Sequence, residues 1–104
     1  MRKIEILLPA AADSQTVERI IDETVAALGL RVTLRGSLKK FPGCTHWHLK
    51  NGRAAGTLEI TLWPQHQRAW FTVQDGRGAE WLNAEIERFG EMLRQRLSGC
   101  FSRP

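Results

Sequence analysis

Between Leu30 and Val73 apolar and polar residues alternate in four short runs, each ended by turn-forming residues. A period of two places every second side chain on the same side of an extended chain, so these runs can only be strands with one wet and one buried face. Leu30, Val32 and Leu34 alternate with Arg31, Thr33 and Arg35, and Trp47 and Leu49 with His46, His48 and Lys50. Leu58, Ile60 and Leu62 alternate with Thr57, Glu59, Thr61 and Trp63, and Ala69, Phe71 and Val73 with Arg68, Trp70, Thr72 and Gln74. Phe41-Pro42-Gly43-Cys44 reads as a tight turn, Asn51-Gly52 as a hairpin signal, and Pro64-Gln65-His66-Gln67 as a four-residue connection.

A further strand precedes them, with Ile4, Ile6 and Leu8 on one side of Lys3 and Glu5, ended by Pro9. Arg2, Lys3 and the alanines at 10–12 give this segment a superficial likeness to a signal peptide. Glu5 and Pro9 interrupt its short apolar run, so it reads as a strand. Val17, Ile20, Ile21, Val25 and Leu28 follow helical spacing after a cap at Asp13 or Ser14, and Gly29 suits the position just past the end. A second helix spans about Ala79 to Ser98, with Leu82, Ile86, Phe89, Leu93 and Leu97 on one stripe and Gly99 as its stop. Short turns make the four central strands antiparallel neighbours. Two amphipathic helices and a one-sided sheet satisfy each other by packing together. The expectation is a single domain over residues 1–104. Its fold class is α+β: a two-layer sandwich in which two helices lie on one face of a curved five-stranded antiparallel sheet, in the order β-α-β-β-β-β-α.

Parity then assigns the faces. Ile4, Ile6, Leu34, Trp47, Leu49, Leu58, Ile60, Leu62, Phe71 and Val73 should meet the helices. Arg31, Thr33, Arg35, His46, His48, Lys50, Thr57, Glu59, Thr61, Trp63, Arg68, Trp70, Thr72 and Gln74 should point away. The connection at 64–67 sets Trp63 opposite Arg68 and Thr61 opposite Trp70, whereas a His48–Glu59 pairing depends on an uncertain hairpin register.

Charge is segregated along the same lines. Residues 30–73 carry Arg31, Arg35, Lys39, Lys40, Lys50, Arg53 and Arg68 against Glu59 alone, while residues 13–28 carry Arg19 against Asp13, Glu18, Asp22 and Glu23. A basic sheet beside an acidic helix attracts anions more than a net charge of +4 suggests. Two cysteines, Cys44 and Cys100, are too few for a disulfide framework and read as reduced thiols of a cytoplasmic protein. No run approaches the ~20 apolar residues of a membrane span, so no membrane partner is expected.

The outward binding face is therefore Arg31, Arg35, His46, His48, Lys50, Trp63, Arg68 and Trp70. The leading expectation is a non-enzymatic binding module that uses this basic, tryptophan-bearing surface for protein association, as a homo-oligomer or with another protein. Single-stranded nucleic acid is the alternative, with Trp63 and Trp70 stacking bases while guanidinium groups meet phosphates. The opposing structural explanation is that the indoles pack with Arg68 across strands.

A metal protein or small enzyme built on His46, His48 and Glu59 is the second alternative. Residues i and i+2 of a strand share a face, so His46 and His48 are candidate metal ligands, with Glu59 or His66 to complete a set and Cys44 too distant unless the turn curls back. The sequence matches no zinc spacing, and cross-strand pairing accounts equally well for a His48–Glu59 acid–base pair. Asp75-Gly76-Arg77-Gly78 lacks the length and Lys-Ser/Thr of a phosphate loop. Trp81 and Met92 flank the last helix's stripe, where helix packing explains them as well as a pocket does. No catalytic residue or cofactor motif is identified, and an enzyme is less expected than a binding domain.

Overall fold

In a computed structural model that describes residues 2–73 and 80–101, the strands are β1 (Arg2–Ile6), β2 (Arg31–Gly36), β3 (Thr45–Lys50), β4 (Leu58–Trp63) and β5 (Arg68–Val73). The helices are α1 (Ser14–Ala27) and α2 (Trp81–Phe101). The strands form one antiparallel sheet in the order β1-β5-β4-β3-β2. The last four thus form the meander that their short connections dictate, and β1 closes onto β5. Gln74, Ala79 and the segment Asp75-Gly76-Arg77-Gly78 lie outside the described residues.

Local signals account for the element ends. The Asp13 carboxylate accepts from the Thr16 backbone N–H at 3.0 Å and caps α1. At the other end Gly29 takes φ +70°, so that the Leu30 N–H reaches the Val25 carbonyl and the Gly29 N–H that of Ala26. This pairing satisfies two carbonyls that the helix end leaves open. Gly43, at φ +84°, lets the Cys44 N–H close the turn onto the Phe41 carbonyl. The β3–β4 connection spans residues 51–57 and contains Asn51-Gly52. One expectation fails: α2 runs through Gly99 to Phe101.

The core lies between the sheet and the helices. Val17, Ile20, Ile21 and Val25 of α1 and Leu82, Ile86, Phe89, Leu93 and Leu97 of α2 meet Trp47, Leu49, Leu58, Ile60, Leu62, Phe71 and Val73, with Ile4 and Ile6 partly buried beside them. Asp22 accepts from the Trp47 indole N–H at 3.0 Å, so the largest core side chain has its one polar atom paired.

The inward set holds at every position but one. Val32 pairs with Leu49 and Leu34 with His48, so Thr33 is an extra residue with no place in the register, a β-bulge, whose hydroxyl donates to the His48 carbonyl at 3.3 Å. Beyond it the facing of β2 is reversed. Leu34, 48% exposed, lies on the side away from the helices. Arg35, assigned to the outward face by parity, instead stands opposite Trp47 on the helix side. Its guanidinium binds Asp22 at 3.0 Å and Glu18 at 3.1 Å, 5.4 Å from the Trp47 ring. The acidic helix thus takes one cation from the basic sheet.

Candidate metal centre

The face away from the helices has two halves. At one end the loop between β2 and β3 folds across the sheet and brings Phe41 edge-on to Trp70 (5.0 Å) and Trp63 (4.9 Å). Trp70 is consequently only 3% exposed, although it points outward as parity requires. Its exposure is the correction: the indole lies in a small second cluster, with Lys3 over its ring at 4.4 Å and Arg68 at 4.8 Å. Trp63 is half-buried, donates its indole N–H to the Pro42 carbonyl at 2.9 Å and stacks on His66 at 3.9 Å. Arg68 is ion-paired with Glu5. Trp63 stands opposite Arg68, and Thr61 opposite Trp70, as the connection length dictates.

The other half holds the titratable cluster. In the β3–β4 ladder His46 pairs with Thr61 and His48 with Glu59. Three donor atoms meet above it. His46 Nε2 is 3.0 Å from Glu59 Oε1, His48 Nε2 is 3.1 Å from His46 Nε2, and His48 Nε2 is 3.4 Å from Glu59 Oε1. Behind them His46 Nδ1 lies 2.8 Å from the Thr61 hydroxyl. Exposure rises across the cluster, from 4% at His46 to 15% for the Glu59 side chain and 35% for that of His48. Among the described residues, these three are the set of His, Cys, Asp or Glu side chains arranged closely enough to hold one ion.

The triangle has the dimensions of a coordination sphere. Ligands about 2.0–2.1 Å from a tetrahedral ion stand about 3.3–3.4 Å apart, and cis ligands of an octahedral ion about 3.0 Å apart. The three observed separations fill that interval. Both tautomers of His46 close the cluster in their own way. With the proton on Nε2, the ring donates to Glu59 and accepts from the Thr61 hydroxyl, and hydrogen bonds join the group. With the proton on Nδ1, the ring donates to Thr61 and Nε2 turns a lone pair toward the other two ligand atoms, the arrangement that an ion would use. Burial lowers the His46 pKa below its ordinary value, against the opposing pull of Glu59, and so favours the neutral ring that a metal requires.

The remaining candidates lie elsewhere. Cys44 is buried with its sulfur 3.3 Å from the Leu38 backbone nitrogen, and His66 stacks on Trp63. The Lys50 ammonium donates to the Gly56 carbonyl at 2.9 Å, and Arg31 is exposed opposite Lys50. Trp81 donates to the Ala55 carbonyl at 2.7 Å and packs against the core. Sequence reasoning missed Phe41 as a cover and Thr61 as the support of His46. The first had only a turn motif as its signal; the second was available from the register.

No family model, no curated protein and no solved structure matches the chain. No helix among the described residues is long and apolar enough to cross a membrane.

Proposed function

We propose that the protein is a divalent-metal-binding domain whose ion is held by His46 Nε2, His48 Nε2 and Glu59 Oε1. The observation that carries this reading is the closed triangle of 3.0, 3.1 and 3.4 Å between those atoms. Two imidazoles and a carboxylate form a borderline ligand set that suits zinc better than the oxygen-seeking calcium or magnesium. Three protein ligands leave at least one position for solvent or an added ligand, the pattern of reactive rather than purely structural zinc sites. Thr61 has the supporting role, fixing the ring of His46 so that Nε2 faces the ion. The association and nucleic-acid readings lose weight because both need two open indoles, and Phe41 covers Trp70.

Elemental analysis of tag-free protein, followed by competitive zinc titration, tests this. About one equivalent per chain is expected, and His46→Gln, His48→Gln and Glu59→Gln should each weaken binding at least about a hundredfold. A folded parent protein that retains no transition metal and takes up none at micromolar zinc would overturn the proposal.

A further inference from the structure

The surroundings of the triangle constrain what its open position receives. Its two ends differ. Toward Trp70 the loop carrying Phe41 covers the sheet, and His46, the ligand on that side, is 4% exposed. Toward the other end His48 is 35% exposed, so a molecule reaching the ion arrives from there. The next outward residue along β3 is Lys50, about 7 Å from His48 along the strand. Opposite Lys50, about 5 Å away across the ladder, stands Arg31, exposed and engaged by no carboxylate among the described residues. Both side chains are long enough to bring a cationic head beside His48.

Among the described residues, no acid forms an ion pair with Arg31 or Lys50. The outward-facing carboxylates of this sheet are Glu59, which is itself in the triangle, and Glu5, which is held by Arg68 two strands away. A divalent ion with one carboxylate ligand keeps a positive charge, and two further cations stand at its open side. Fields of one sign at a partly enclosed site concentrate the opposite charge. Resting on the metal reading above, we infer that the open coordination position receives an oxyanion, a carboxylate or a phosphate group, which bridges the metal to Arg31 and Lys50. One oxygen would take the vacant coordination position and a second would accept from the guanidinium, whose fork suits such groups. The Lys50 ammonium gives one of its three N–H groups to the Gly56 carbonyl, which leaves two to donate to an anion.

The test uses the full chain loaded with cobalt(II), whose visible absorption reports ligand exchange at the ion. Separate titrations with inorganic phosphate and with acetate should each change the spectrum saturably, the tighter of the two naming the preferred class. In Arg31→Gln and in Lys50→Gln the anion should bind about five- to tenfold more weakly, with cobalt affinity unchanged. Arg31 is exposed, so its variant retains the fold and keeps the test decisive even if the Lys50 variant disturbs the 51–57 loop. A cobalt spectrum indifferent to both anions, or anion affinities equal in parent and Arg31→Gln, would overturn this inference and leave the metal reading standing. Failure of cobalt to load would remove both.

Discussion

The two faces of this sheet are buried by different means, and the contrast separates what stabilises the protein from what it can do. On the helix side, two amphipathic stripes cover a continuous apolar layer from Val17 to Leu97, with Trp47 at its centre and its indole N–H tied to Asp22. On the far side a loop aromatic, Phe41, with Lys3 and Arg68 shields Trp70, and next to that patch three ligand-bearing side chains crowd together beneath incomplete cover. Apolar burial on the first face is a folding device. Polar crowding on the second costs desolvation that its hydrogen bonds must offset, and it gathers ligand atoms that an apolar core would keep apart. A fold tolerates such a cost where a function depends on it.

Substitutions sharpen the contrast. Trp47→Ala should cost about 3–5 kcal/mol in urea unfolding, because it opens a cavity at the centre of the core and removes the indole bond to Asp22. Trp70→Ala, on the opposite face, should cost only about 2 kcal/mol by the same measurement, since the loop ring of Phe41 and the long side chains of Lys3 and Arg68 around it can relax into the gap. Equal losses for the two would show that the second aromatic cluster is as integral as the first. Thr61→Val should cost about 1–2 kcal/mol in unfolding, because it leaves the buried His46 Nδ1 unpaired, and should weaken zinc about tenfold in competitive titration, because it frees the ring of His46. An unchanged zinc affinity would remove Thr61 from the site.

Acidity provides a fourth comparison. His46 has a folded pKa below its ordinary 6.5, so the unfolded chain binds a proton that the folded one resists. The metal-free protein should therefore hold its full stability above about pH 6.5 and lose part of it as pH falls from there toward the lower folded value. His46→Gln should flatten that slope while leaving the contribution of the helix-side core intact. Smallest of all, Arg35→Gln should cost within about 1 kcal/mol, because the ion pairs with Glu18 and Asp22 are half-exposed and screened.

Much of this was legible in the chain, for a simple reason. Alternation at β3, β4 and β5 leaves no second register that keeps Trp47, Ile60 and Phe71 dry, so facing follows from parity. The same reasoning failed at β2, because nothing in Val32-Thr33-Leu34 distinguishes a regular ladder from one with an added residue. Neighbours decided it: Asp22 and Glu18 on α1 offer Arg35 better partners than water does. His46 and His48 were recognisable as a same-face pair. Their convergence on Glu59 was not, since it depends on the seven-residue path from Asn51 to Thr57 and on rotamers set by Thr61. The end of α2 shows the limit of single-residue signals, for Gly99 permits a stop but does not impose one.

The bulge at Thr33 has a bearing on how molecules of this protein meet one another. β2 is an outer strand of the sheet, and six regular exposed residues there would offer any passing extended segment a straight row of free amide groups to adopt as its own neighbour. One surplus residue breaks that row midway and twists it, so recruitment by this margin is discouraged. Removing Thr33 would keep Arg35 turned toward α1 while making the margin uniform, converting a self-limiting border into an adhesive one.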